Sequence, residues 1–181
     1  MATDEELMDR YLAGDRAAFR ELFHRYAPVV LRLVRRNVPT EEAHDLVQLT
    51  FLHLHRGRKD FRRGARLRPW LCTIAINVRR QYLRSMRNKE TVAPTADVAA
   101  TLSVSPTSDV VGKVRAALAE LSSDQQEVIV LHWVEGLSFR EVSQVVGASL
   151  SAVKVRAHRG YEVMRVSLNR DGDGRERRPA R

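Results

Sequence analysis

Between Thr73 and Asn88, polar residues recur at a spacing that could read nucleic acid. Thr73, Asn77, Arg80, Gln81, Arg84, Arg87 and Asn88 share one side of a helix turning about 100° per residue. No Asp or Glu occurs between Asp60 and Glu90, so this side carries only cations, amides and a hydroxyl. Guanidinium groups suit phosphate and the guanine edge, and Asn and Gln amides suit adenine. The chemistry this pattern offers is recognition, although a merely solvated cationic face would be spelled the same way. Just upstream, Arg56 to Arg68 holds seven basic residues against the single acid Asp60, around Phe61 and Gly64. It reads as a basic loop leading into the helix.

Other candidate chemistry dissolves on inspection. The chain has six histidines, but His53 and His55, two apart, point to different helical faces and not to one metal. His24, His44, His132 and His158 fall in separate helices, with no HExxH spacing. There is no GxSxG, Walker loop or GxGxxG. The one cysteine, Cys72, excludes a disulfide framework and a thiolate metal cage, and reads as a packed thiol. The expectation is a binding protein, not an enzyme, without cofactor or metal.

Composition points the same way. The chain of 181 residues is 44% hydrophobic, enough for a core, and carries a formal charge of +9, mostly from arginine. An anionic partner follows, nucleic acid before membrane surface. The N-terminus, MATDEELMDR, is acidic and has no apolar signal core. No apolar run approaches about 18 residues. Both point to an intracellular protein without membrane insertion.

The elements that position these residues read as helices throughout. Thr3 and Glu6 form a capping box for a first helix that stops near Gly14, and Asp15 caps a second. The second carries Ala18, Phe19, Leu22, Phe23, Tyr26, Val29, Val30, Leu33 and Val34 at helical spacing, and Pro28 should kink or restart it. Thr40 suits the N-cap of a third helix, which runs to about Arg56. There Ala43, Val47, Thr50, Phe51 and Leu54 face a core. Asp45, Gln48, Leu49 and Leu52 point away as a partner patch, unless another helix covers them. In the organising helix Pro69 occupies the first turn, and Trp70, Leu71, Ile74, Ala75, Val78, Tyr82 and Met86 face inward.

The stretch 91–112 contains no Lys or Arg and is rich in Thr, Ser, Ala, Val and Pro, which marks a linker. Beyond it, a helix runs from about Val111 to Glu120. Ser122 with Gln125 opens another that ends at Gly136. Ser138 with Glu141 opens a short helix ending at Gly147. After the Gly147-Ala148-Ser149 turn a last helix spans about 150–168, completing a helix-turn-helix pattern. Leu150, Val153, Ala157, Met164 and Leu168 should face inward. Ser151, Ala152, Val155, His158, Arg159 and Glu162 face outward, with Lys154 and Arg156 at the flanks. The polar tail 169–181 should be disordered. The fold class is all-α, with two small helical domains, 1–90 and 113–168.

Two arrays now stand together: DLVQLTFLHL followed by PWLCTIAINVRRQYLR, then LHWVEGLSFREVSQVVGASLSAVKVRAHRG. In this order, over residues 9–168, the chain resembles the extracytoplasmic-function (ECF, group 4) sigma factors of bacterial RNA polymerase, in the sigma-70 family. The resemblance implies a region 2 and a region 4 that dock on core polymerase, at the β′ clamp helices and the β subunit. Region 2 would read and help melt the −10 promoter element, and region 4 would place its recognition helix in the major groove at −35. An anti-sigma partner and action in the cytoplasm at the nucleoid are implied as well. Carried over by position, Asp45, Gln48, Leu49 and Leu52 would meet polymerase. Phe61, Arg62, Arg63 and Arg66 would lie in the loop that captures a flipped base, with Asn77, Arg80, Arg84 and Arg87 on the −10 helix. Ser151, Lys154, Val155, Arg156, His158 and Arg159 would serve −35, with Arg156 as a phosphate clamp. Two departures stand out: Leu49 where an acid is common, and Val155 where small polar residues are usual, which suits a thymine methyl. The rival reading is a stand-alone helix-turn-helix regulator whose first 90 residues do something else.

The linker should act as a tether. Its 22 residues, fully stretched, reach roughly 70 Å at about 3.3 Å each. Promoter elements about two helical turns apart need roughly the same span. Deleting about eight residues between Ala93 and Pro106, roughly 26 Å of reach, should abolish run-off transcription while both domains stay folded by circular dichroism. Full activity of that deletion would show that the domains stand closer on DNA.

Overall fold

A computed structural model of the chain describes residues 2–90 and 109–173. Every regular element in them is helical, and they form two compact units. The first holds α1 (Asp4–Leu12), α2 (Arg16–Val34), α3 (Thr40–Gly57) and α4 (Leu67–Glu90), with a 3-10 turn at Arg58–Asp60. The second holds α5 (Asp109–Ala119), α6 (Ser123–Ile129), α7 (Phe139–Val146) and α8 (Leu150–Asp173), with a π turn at Val130–Val134.

In the first unit, α2, α3 and α4 pack pairwise, and α1 lies against α2 and α4. The Thr3–Glu6 capping box closes the start of α1, and Asp15 Oδ1 accepts the backbone N–H groups of Ala17 and Ala18 at the start of α2. Helix α2 runs unbroken through Pro28, so no restart occurs. Proline forfeits its own N–H bond and crowds the carbonyl four residues back, but its ring is exposed, and Tyr26, Val30, Leu33 and Val34 beside it are buried. Packing therefore outweighs the local penalty. The start of α3 differs by one residue. Pro39 holds the cap position in extended backbone, and its carbonyl accepts the first helical bond from Ala43. Thr40 is thus the first helical residue and not the cap.

The expected core stripe of α3 is buried, joined by Leu46. On α4 the buried face is rotated from expectation. Leu67, Leu71, Cys72, Ala75, Ile76, Val78 and Arg79 are buried, while Trp70, Ile74, Tyr82 and Met86 are only half-buried. Three helices (α1, α2 and α3) press on α4, so its buried arc is broader than one apolar stripe and includes Arg79. Pro69 does sit in the first turn, and Cys72 is buried.

In the second unit, α8 packs on α5, α6 and α7. Capping boxes Ser122–Gln125 and Ser138–Glu141 form as spelled. The helix expected to reach Gly136 loses regularity at Ile129. Glu135 N–H bonds the Val130 carbonyl and Leu137 N–H the Leu131 carbonyl, each at 3.0 Å, which widens the turn. Gly147 ends α7 at φ +70°, a conformation that suits glycine. Gly160 is needed for close approach, because a Cβ there would come within 2.6 Å of Ile129 Cδ1 on α6. Leu150, expected inward, is 41% exposed at the first position of α8, and the inward stripe begins at Val153. Helix α8 continues to Asp173, past the expected end at 168, and Ser167 Oγ donates to Glu120 Oε1 at 2.8 Å. Of the expected linker, 109–112 belong to α5, and 91–108 lie outside the described residues, as do 174–181 of the tail.

Ser138→Ala removes the side-chain acceptor of Glu141 N–H and should cost the second unit about 1 kcal/mol. Differential scanning calorimetry of the full chain should show that unit's transition lowered and the other unchanged. An unmoved second-unit transition would contradict the cap's role.

Candidate nucleic-acid and polymerase interfaces

Three surfaces stand out, two on the first unit and one on the second. Along α3, Asp45 and Gln48 are exposed, Leu49 is half-buried, and Leu52 is 40% exposed. Among the described residues no helix covers Leu52 fully. With Gln48 it borders an open groove lined by Phe19, Phe23, Phe51 and His55. The Tyr11 hydroxyl hydrogen-bonds His55 Nδ1. Burial raises the Tyr11 pKa, against the opposing charge of Arg58. The aromatic lining of this patch was not singled out in the sequence, where Phe19 and Phe23 read as core.

The second surface is the basic loop and the outer face of α4. Arg62, Arg63 and Arg66 are exposed, and Gly64 turns the loop at φ +76°. Phe61 is different: it is 6% exposed, with its ring centroid 5.1 Å from that of Trp70. In this conformation the ring anchors the loop's base instead of presenting itself to a base. On α4, Asn77, Arg84 and Arg87 are exposed and Arg80 is half-buried. The neighbouring Arg79 points into the bundle, where its Nη1 donates to the Leu33 carbonyl of α2 at 2.9 Å. One residue step thus separates a structural arginine from a surface one. Tyr82, at the edge of α4, has a raised pKa from desolvation and from Glu42 of α3.

On the second unit, Ser151, Lys154, His158 and Arg159 are exposed along one side of α8, and Val155 among them is 48% exposed. Ser149 Oγ accepts the N–H of Ala152 and starts the helix. Arg156 is engaged within the unit, its Nη2 2.9 Å from Asp124 Oδ2, so a phosphate would have to compete with that pair. Trp133, on the π turn, is 68% exposed and donates its indole N–H to the Tyr161 hydroxyl; sequence reasoning passed over it. Among the described residues no group of His, Cys, Asp and Glu is placed to hold a metal ion, and no helix is long and apolar enough to cross a membrane.

A helix-turn-helix unit and a separate helical unit with an acid-free basic face define a nucleic-acid-binding protein of two helical domains. Residues 22–89 match sigma-70 region 2, and residues 112–164 match sigma-70 region 4. The RNA polymerase sigma factor CarQ of Myxococcus xanthus is 40% identical over 165 residues, 89% of this chain and 95% of CarQ. The ECF RNA polymerase sigma factor SigM of Mycobacterium tuberculosis is 32% identical over 158 residues, 87% of this chain and 80% of SigM. Among solved structures, CnrH in complex with the cytosolic domain of CnrY is similar at a TM-score of 0.67 and 26% identity, covering 93% of this chain and 98% of that one. The sigma factor RpoE of Bartonella quintana, solved with the anti-sigma factor NepR, shares the fold at a TM-score of 0.65 and 23% identity, covering 83% and 96%. The chain belongs to the ECF group of the sigma-70 family and is a transcription initiation factor that directs RNA polymerase to promoters. Because region 2 accounts for most of the first unit, the stand-alone regulator is displaced as a reading.

Arg79→Ala should destabilise the first unit by about 1.5–3 kcal/mol, the range for a hydrogen bond to a charged group. Arg84→Ala should leave its melting temperature unchanged. Thermal melts of both variants check this, and equal loss in both would mean that α4 is turned the other way.

Proposed function

We propose that the three surfaces divide the work of initiation. Asp45, Gln48, Leu49 and Leu52 on α3 dock on the β′ clamp helices, and the second unit meets the β subunit. Arg62, Arg63 and Arg66 of the loop, with Asn77, Arg80, Arg84 and Arg87 of α4, hold the −10 strand. Phe61 keeps the loop in shape until a flipped base arrives. On α8, Ser151, Lys154, Val155, His158 and Arg159 meet −35 DNA, with Arg156 reaching phosphate when it leaves Asp124. The factor works by binding, in the cytoplasm at the nucleoid, without catalytic chemistry of its own.

The observation that carries this reading is the stretch without acid between Asp60 and Glu90, in which Arg62, Arg63, Arg66, Arg84 and Arg87 are exposed, Arg68 and Arg80 are half-buried and Arg79 is buried. Phosphate contacts position the duplex, and base contacts specify it. Unstacking costs a few kcal/mol per step. A cationic face that holds the displaced strand offsets that cost. The similar chains solved in complex, CnrH with the cytosolic domain of CnrY and RpoE with the anti-sigma factor NepR, support a further partner for this chain, an anti-sigma protein that keeps it from polymerase.

Specific run-off transcription upon adding the protein to core polymerase tests the reading, and tight specific duplex binding without polymerase would defeat it. Within it, Arg159→Ala should lose about 1–3 kcal/mol of discrimination at −35, measured as the affinity ratio between matched and altered −35 sequences. Equal weakening on all sequences would make Arg159 a phosphate contact. Leu49→Glu should keep the unit folded and make core binding more salt-sensitive, because a screened ion pair replaces apolar contact. Affinity at two salt concentrations, with circular dichroism, decides it. Unfolding would place Leu49 in the internal core.

A further inference from the structure

Helix α1 lies ahead of the residues that match region 2, and none of the roles above uses it. Its first turn carries Asp4, Glu5 and Glu6, whereas the first turn of α4 has no acid of its own. Across 62 positions of sequence, Glu5 Oε1 accepts the backbone N–H of Leu67, the first residue of α4, at 3.2 Å. A helix start has N–H groups without intrahelical partners and a partial positive charge, so a carboxylate there both bonds and stabilises it.

The adjacent Asp4 is fastened in turn. Its Oδ1 accepts from Arg25 Nη1 at 2.6 Å, and its Oδ2 accepts from the Tyr26 hydroxyl. Arg25 Nη1 also donates to the Ala2 carbonyl at 3.2 Å. The guanidinium of Arg68, the second residue of α4, lies 5.5 Å from the centroid of the Tyr26 ring. Burial, and then Asp4, hold the Tyr26 hydroxyl protonated far above ordinary pH, so it remains a donor. Tyr26 is 1% exposed, which makes this a rigid mount.

These contacts meet one end of the loop 61–66. Its other end is anchored by Phe61 on Trp70, and the exposed Arg62, Arg63 and Arg66 lie between. We infer that Glu5, held in register by Asp4, is a positioning residue for promoter opening: it fixes the start of α4 and so the loop that receives the displaced strand. The inference rests on the reading of that loop and α4 as the −10 surface. Binding groups held within fractions of an ångström of their working geometry lose much of their effect when their support is removed.

The test uses full-length protein reconstituted with core polymerase, with promoter opening read by permanganate reactivity of −10 thymines. Glu5→Ala should slow opening about tenfold, equivalent to one charge-assisted hydrogen bond, and reduce −10 discrimination, with core affinity and −35 discrimination unchanged. Glu5→Gln, whose amide oxygen can still accept the Leu67 N–H but carries no charge, should open at a rate between those of Glu5→Ala and the unaltered protein. Glu5→Asp, one methylene short, should behave like Glu5→Ala. Asp15→Ala serves as the stability control, because it removes the cap of α2 and the pair with Arg10 of α1 in the same unit while leaving the Glu5–Leu67 bond in place, and it should leave opening unchanged below the melting range. Normal opening by Glu5→Ala, or an equal defect in Asp15→Ala, would overturn the inference. Arg84→Ala separates the two levels. If it loses −10 discrimination while Glu5→Ala does not, the −10 reading stands and the inference falls. If neither variant changes discrimination, both fall.

Discussion

Helix α4 must be a core helix and a one-signed surface at once, and most of the first unit follows from that. Its outer face stacks Arg80 over Arg84 four residues on, with Arg87 three further. Like charges at these spacings destabilise a helix by about 0.2–0.5 kcal/mol per pair. No acid within the helix relieves them before Glu90. The stabilisation therefore comes from the other side, where Leu67, Leu71, Ala75, Ile76 and Val78 are buried against three helices. Arg79 belongs to that side through the Leu33 carbonyl. A helix held this way does not depend on its outer face for stability, so that face can carry charge of one sign.

The second unit solves a simpler problem, the presentation of α8. Local devices do most of it: the capping box at Ser138, the left-handed Gly147 and the Ser149 cap form within a few residues of one another. Gly160 then lets α8 approach α6 closely enough to pack on Ile129. The side carrying Lys154, Val155, His158 and Arg159 stays outward. The Arg156–Asp124 pair ties the flank of α8 to the start of α6, a contact that would trade against phosphate.

What could be read from the sequence divides along the same line. Capping boxes, the Gly147 turn and the two faces of α3 depend on residues three or four apart, and they were legible in advance. So was the two-domain helical class, because each half carries its own apolar periodicity. Features set by distant contacts were not. The rotation of α4, the burial of Arg79 and the inward ring of Phe61 depend on which helices surround them. The bond from Leu67 to Glu5 joins residues 62 apart, and no local pattern announces it. The π turn at Val130–Val134 was hidden for a different reason: its apolar run reads as ordinary helix up to Gly136.

A single measurement bears most directly on the claim that α4 and its preceding loop hold the opened strand. A photoreactive base is placed at −10 on the non-template strand, and the polymerase complex reconstituted with this protein is cross-linked and digested. If the acid-free face is the −10 surface, the label falls on peptides between Arg62 and Arg87. Labelling of α8 or of the outer face of α3, with none on α4, would contradict it.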